Sequence, residues 1–302
     1  MGVSFANVRS NGDLHAAITA AARTILTRPA VVTAALTGPS ASKADNPSLP
    51  VSPEEIAADA EAVWASGASI VHIHLRDEAG NATADLQIAR RVLGLIQGAC
   101  PALIQLSTGV GLDVPFEARA KLVEARPAMA SLNVCSMSFG SGELRNPPDG
   151  IRRLAARMQE LDVQPELEIY DSGHLDVALE LREEGLLTDP LHLSLVLGVR
   201  GGMAATPANL VHVASRLPPG SVWQVVGIGP CNLSMTSMGL AMGANARTGL
   251  EDTLFIRPGQ LASGNTELVS RLVRLAQAMD RPVADVDTTR AQVGLAAKAP
   301  RP

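Results

Sequence analysis

From Val31 to about Met279 the chain repeats one pattern: a short aliphatic run, a polar loop, and a longer segment whose apolar positions recur at helical spacing. Short apolar runs bounded by turn residues read as buried strands, and the 3.6-residue recurrence reads as amphipathic helix. Strands are expected at residues 31–36, 69–75, 102–107, 129–133, 166–170, 191–197, 222–227 and around 246–249. A helix follows each. The first opens on Ser52-Pro53-Glu54-Glu55, a capping serine, a proline at the first helical position and acids in the first turn. It carries Ile56, Ala60, Val63 and Trp64 to a stop at Gly67, and the last helix is expected over 261–279. Eight such units without a composition break imply a parallel sheet, and at about 30 residues each they fit a closed α/β (β/α)8 TIM barrel better than an open doubly wound sheet. No GxGxxG follows the first strand, so a dinucleotide-binding fold loses its main support. The expected organisation is an N-terminal extension over 1–29 with a short helix near 15–25, a single barrel domain over 30–296, and a loose Pro-rich tail over 297–302.

Composition narrows the partners. A net charge of −5 with 18% charged residues offers no electrostatic footprint for nucleic acid or an anionic membrane. Aromatics at 2% remove the stacking platforms that single-strand binders need. The three cysteines, Cys100, Cys135 and Cys231, are odd in number and widely spaced, which argues for a reducing compartment and against a disulfide framework. No apolar run approaches the membrane-spanning length of about 20 residues, and the N-terminus lacks a basic start followed by an apolar core. A cytoplasmic protein is expected.

In a barrel, the face at the C-terminal ends of the strands carries the chemistry. Polar residues gather there: Thr37-Gly38, then His72, His74 and Asp77, then Ser107-Thr108-Gly109, then Ser131 and Asn133, then Glu168, Tyr170 and Asp171. Arg200-Gly201-Gly202 and Arg247, Glu251 and Asp252 follow the later strands. Each group taken alone also serves as plain turn chemistry; their joint placement favours a site. In Val71-His72-Ile73-His74-Leu75-Arg76-Asp77 the two histidines are two apart on a strand and share one face. Neutral imidazoles are common zinc ligands, so a divalent metal is the expected occupant. A third ligand must come from elsewhere. His192 opens its strand at the wrong end, His212 lies on a helix, His15 precedes the barrel and His174 follows a turn. That leaves the adjacent acids Glu251 and Asp252 beside Arg247: in extended chain one can face a metal while its neighbour pairs with the arginine.

These residues resemble the β-keto acid cleavage enzyme family, typified by 3-keto-5-aminohexanoate cleavage enzyme. The likeness is carried by Thr33-Ala34-Ala35-Leu36-Thr37-Gly38, Pro50 through Ala57, the HxHxRD strand, Gln105 through Gly109, Ser131-Leu132-Asn133, Glu166 through Gly173, Gly201-Gly202-Met203, Arg247 through Asp252, and Asn265 with Leu268-Val269. The resemblance implies a zinc-bearing, homo-oligomeric, commonly tetrameric barrel that takes a β-keto acid and acetyl-CoA to acetoacetate and a new acyl-CoA. By the same resemblance His72, His74 and Glu251 match the metal ligands, and Arg247 and Asp252 match the pair that deprotonates the substrate. Ser107, Ser131 and Asn133, with Thr108 and Gly109, lie where the keto acid's polar end binds, Ser131 standing in for a threonine. Glu168 matches a further acid of the pocket.

Ser40 departs from the aminohexanoate enzyme, which carries a glutamate there suited to a cationic substrate tail; a neutral or anionic tail is expected here. Val110 and Pro230-Cys231-Asn232 also depart from the family pattern and bear on pocket shape and CoA handling. Arg200, Gly201 and Gly202 can present charge and amides to a phosphate, or form a simple turn. The rival readings are a metal-dependent aldolase or hydrolase on the same barrel, and a barrel that binds a metabolite without turnover.

Overall fold

In the computed structural model, Thr19 and residues 27–295 are described; the helix expected near 15–25, Thr19 apart, and the tail from Ala297 lie outside the described residues. Eight parallel strands close a barrel: β1 (Val32–Thr37), β2 (Ile70–Ile73), β3 (Leu103–Leu106), β4 (Met129–Asn133), β7 (Gln164–Ile169), β8 (His192–Leu197), β9 (Val222–Gly227) and β10 (Asn245–Thr248). The order runs β1-β10-β9-β8-β7-β4-β3-β2, with β1 pairing both β2 and β10 to complete the ring. Two antiparallel hairpins, β5 (Met137–Phe139) with β6 (Gly142–Leu144) and β11 (Phe255–Arg257) with β12 (Gln260–Leu261), were not expected from the pattern. The second ends on Leu261, the first residue of the helix expected over 261–279, and that helix starts later and spans Asn265–Ala278. Gly259, at φ +75°, turns the chain between β11 and β12.

Strand alternation explains how the barrel is filled. Val71 and Ile73 on β2 pack outward in one cluster with Ile56 and Val63 of the Pro53–Ala65 helix. Leu193, Leu195 and Leu197 on β8 pack in another with Leu175 and Ala178. The alternate positions face inward. At the strands' N-terminal ends they are apolar, where Val31, Ile70, Leu103, Met129 and Val222 meet Ala284 and Val293 in a plug. Further along they turn polar: Gln224 donates to Glu166 (2.8 Å) and Ser194 (2.7 Å), and Thr33 donates to Gln224 (2.8 Å). All of these are buried, and their mutual bonds make that burial tolerable.

The first helix begins as its residues dictate. Ser52 Oγ accepts from the Glu55 amide (3.2 Å) and Glu55 returns a bond to the Ser52 amide (3.1 Å), a closed capping box. On the same helix Asp59 accepts from Asn265 Nδ2 (2.6 Å), and burial pushes its carboxyl up to about 6. The unfolded chain releases that proton near the ordinary aspartate value, so between roughly pH 4 and 6 the native state holds a proton the unfolded state has lost. The Asp59 contribution to stability is present below that window and fades as pH rises through it. Asp59→Asn is therefore expected to flatten the rise and fall of melting temperature between pH 4 and 7 and to raise it at pH 7. Parallel melting curves of the two proteins that keep the same pH slope would refute this.

Candidate active site

The polar inner positions of β2, β4, β7 and β10 converge at the C-terminal mouth. His72 lies inside β2, while His74 follows the strand's last residue, because β2 is shorter than the pattern suggested. The rings remain neighbours, with centroids 5.5 Å apart. Glu251 comes from the turn after β10, held in place from several sides. Its amide donates to Ala35 O (3.2 Å), and the Leu250 amide donates to Asn265 Oδ1 (2.7 Å), whose Nδ2 donates to Leu36 O (2.8 Å). Gly249, at φ +154°, presses so close to β1 that a Cβ would stand 2.0 Å from Ala35 O. Gly38 leaves room for the acid itself, since a Cβ there would lie 2.8 Å from Glu251 Cγ.

The result is a site suited to a cation. Glu251 Oε2 is 3.5 Å from His72 Nε2 and Oε1 is 3.5 Å from His74 Nε2, and one ligand atom from each residue falls within 4.8 Å of the others. His72 Nε2 and Glu251 Oε2 are buried and have no hydrogen-bond partner among the described residues. Leaving such atoms unpaired is costly, and a metal would use both. Charge points the same way. Arg247 donates to Asp252 through Nε (3.0 Å) and Nη2 (2.8 Å), donates to Glu251 (2.6 Å), and stands 3.8 Å from Glu168. Three carboxyl groups share one guanidinium there, a donor set that favours a cation. Burial keeps the His74 imidazole below its ordinary pKa, in the neutral form that ligates. Burial opposes the Glu251 carboxylate, yet Arg247, His72 and His74 outweigh it and hold its pKa well below the usual range. For Asp252 burial prevails and, with the charge of Glu251, raises the carboxyl against the pull of Arg247.

This centre opens into a cavity of about 1740 Å³ lined by His74, Arg247, Glu251 and Asp252. Ser40, Ser107, Gly109, Asn133, Glu168 and Arg200 also line it; Thr108, Ser131, Gly201 and Gly202 do not. Thr108 and Ser131 lock to each other instead, the Thr108 amide to Ser131 Oγ (3.0 Å) and Thr108 Oγ1 to Ser131 O (2.8 Å). Gly201 and Gly202 serve close packing, where a Cβ would lie 1.9 Å from Ser138 O and 2.8 Å from Tyr170 O. Asn133 Nδ2 donates to Glu168 (2.7 Å) and Tyr170 Oη contacts the same oxygen at 3.4 Å, while burial raises the Glu168 carboxyl. Asp77 orients no ligand: it accepts from the Ala79 and Asn81 amides in its own turn. Arg76 spends its guanidinium on the carbonyls of Gly38, Ala41 and Gly80, tying the loop after β1 to that turn.

Gln105 and Asn265 stand in the motifs read from the sequence, yet their tasks emerge only here. Gln105 Oε1 lies 2.6 Å from His72 Nδ1. With the amide oxygen accepting, Nδ1 carries the proton and the Nε2 lone pair faces Glu251. The signal in the chain was a single polar residue in the aliphatic run Leu103–Leu106.

The fold and the site define a class: (β/α)8 barrels with a buried His-His-Glu candidate metal centre at the C-terminal mouth, beside an Arg–Asp pair. The family described as beta-keto acid cleavage enzyme matches residues 29–295, and the chain belongs to that family. It is 36% identical over 262 residues to a 3-keto-5-aminohexanoate cleavage enzyme of Fusobacterium nucleatum, covering 86% of this chain and 96% of that one. It is 34% identical over 274 residues to a 3-oxoadipate:acetyl-CoA acetyltransferase of Cupriavidus necator, covering 89% and 96%. Among solved structures, apo ObcA aligns with a TM-score of 0.73 at 22% identity over 82% of this chain and 66% of that one, a likeness of fold. Among the described residues no helix is long and apolar enough to cross a membrane.

Proposed function

We propose that this chain is a divalent-metal enzyme, with zinc the first choice, that converts a β-keto acid and acetyl-CoA to acetoacetate and a new acyl-CoA. The observation that carries this reading is the convergence of His72, His74 and Glu251 with the Arg247–Asp252 pair in one buried pocket. Family membership and the acetyl-CoA named for the Cupriavidus relative support it.

His72, His74 and Glu251 would hold the ion, which when bound supplies Lewis-acid stabilisation of negative charge developing on the substrate's ketone oxygen. Asp252 is the base. Arg247 fixes its orientation through two parallel bonds, and burial lifts its pKa toward the range in which a base both accepts and returns a proton. It removes the proton between carboxylate and ketone. The resulting carbanion carbon bonds to the acetyl carbonyl carbon and the CoA thiolate leaves. That thiolate adds to the original ketone carbon, whose bond to the former carbanion carbon breaks. Asp252 returns its proton to the acetoacetate so released, and atoms and charge balance. Ser107 and Asn133, on the cavity wall, hold the substrate carboxylate, with Gly109 beside them and the Thr108–Ser131 lock keeping that wall in shape. Arg200 offers a further cation at the wall. On the same reading the enzyme works as a cytoplasmic homo-oligomer.

The test is acetoacetate formation that requires both β-keto acid and acetyl-CoA. A substrate panel is expected to favour neutral or anionic tails, because Ser40 supplies no counter-charge for an ammonium. Ser40→Glu is expected to shift the ratio of kcat/KM values toward amino-keto acids by about tenfold, the size of one modest charge-assisted contact. Best turnover of the unaltered enzyme on an amino-keto acid would overturn the tail assignment, and acetoacetate released without acetyl-CoA would overturn the reaction.

A further inference from the structure

The wall that begins at the metal centre continues, without leaving the cavity, from Leu250 to Gly259, and its outer end differs chemically from the rest. On β11 Phe255 and Arg257 are exposed and Ile256 is buried, and the pairing with β12 is irregular between the two exposed residues. Both line the cavity mouth, as does exposed Leu233. Arg257 has no ion pair or hydrogen bond among the described residues, whereas the surface arginines Arg152, Arg157 and Arg182 are paired with Glu184, Glu124 and Asp189. Arg271, from the Asn265–Ala278 helix, reaches the same mouth and gives one N–H to Ile256 O, which fastens β11 to the helix. Glu267, which feels the charge of Arg271 and Arg257, accepts from the Ser263 amide and hydroxyl (2.8 and 3.0 Å). Burial depresses the Arg271 pKa against the pull of Glu267, and the like charges of Arg257 and Arg274 add to the depression.

An exposed aromatic beside Arg257, with Arg271 keeping further N–H groups beyond the one given to Ile256 O, suits a nucleotide: a face on which a base stacks and a planar donor fork for phosphate oxygens. Arg257 lies six positions beyond Glu251, at most about 20 Å of extended chain. A ligand that joins a reactive group to an anionic end through an arm of that reach can touch both. We infer that Phe255, Arg257 and Arg271 bind the phosphorylated adenosine diphosphate end of coenzyme A, with the pantetheine arm running down the wall to the metal centre. The inference rests on the acyl-exchange reading and deepens it.

The experiment compares two thioesters and one binding measurement. Arg257→Glu is expected to raise KM for acetyl-CoA by about tenfold or more, the loss of one charge-assisted phosphate contact, with kcat retained. KM for S-acetylpantetheine, which lacks the nucleotide, is expected to stay within about twofold of the unaltered enzyme. Equal rises for both thioesters, or none for either, would overturn the inference, as would an Arg200→Glu variant that loses acetyl-CoA selectively while Arg257→Glu does not. Calorimetry with free CoA separates the two levels. CoA bound equally by the unaltered protein and Arg257→Glu overturns the nucleotide site alone, whereas no CoA binding by the unaltered protein overturns the acyl-exchange reading and the site with it.

Discussion

His72→Ala is expected to leave a folded barrel that no longer retains its metal. The ring sits inside β2 with Nδ1 against Gln105 and Nε2 toward Glu251, so its removal takes away one of the three proposed ligands and leaves backbone pairing untouched. Elemental analysis of the purified proteins should fall from about one divalent ion per chain to a small fraction of that, since two ligands rarely suffice. Acetoacetate formation should drop by on the order of 10²–10³-fold, the scale on which stabilisation of a developing oxyanion is lost. Far-UV circular dichroism should be unchanged. A variant that keeps its metal, or an unaltered protein that takes up none when supplied with zinc, would leave the proposed chemistry without its centre.

Replacing Arg247 should cost the most stability of any single change in the pocket. Among the described residues its guanidinium is the one Lys or Arg cation paired with Glu251 and Asp252, and it stands beside Glu168, all within the barrel mouth. Arg247→Ala leaves buried carboxylates without compensation, a loss of about 3–5 kcal/mol for a broken buried ion pair. Activity should vanish with it, because Asp252 loses both its orientation and the charge that tunes it. Arg247→Lys should recover only part, since an ammonium cannot reproduce the fork that binds both Asp252 oxygens. Denaturant unfolding of Arg247→Ala, Asp252→Ala and the double variant measures this: the double variant is expected to be less destabilised than the sum of the two singles. Strict additivity would show that the pair does not act as a unit.

Strand parity was the most legible feature of this chain. The alternation in Val71-His72-Ile73-His74 and in Glu166-Leu167-Glu168-Ile169 states which residues face the barrel axis, because a pleated strand admits no other arrangement. The helix cap at Ser52 was equally readable, being settled within four residues. The hairpin at Phe255–Leu261 was not, because strands of three and two residues are too short to show an alternation. Nor could the motif Gln105 through Gly109 show which of its polar residues would support a ligand and which would line the cavity. Thr108 and Ser131 looked like substrate contacts, but they meet each other across neighbouring strands and stand off the cavity wall.

By itself, then, the sequence determined the repeat of strand and helix, the inward and outward faces of each strand, and the short list of residues able to bind a cation, since these follow from spacing along the chain. Only the tertiary structure decided that Glu251 rather than Asp252 turns to the imidazoles. That choice is made by ring closure between β1 and β10, by the approach of Gly249 to Ala35, and by the grip of Asn265 on the Leu250 amide. These are contacts between segments distant in the chain, and no local spacing encodes them.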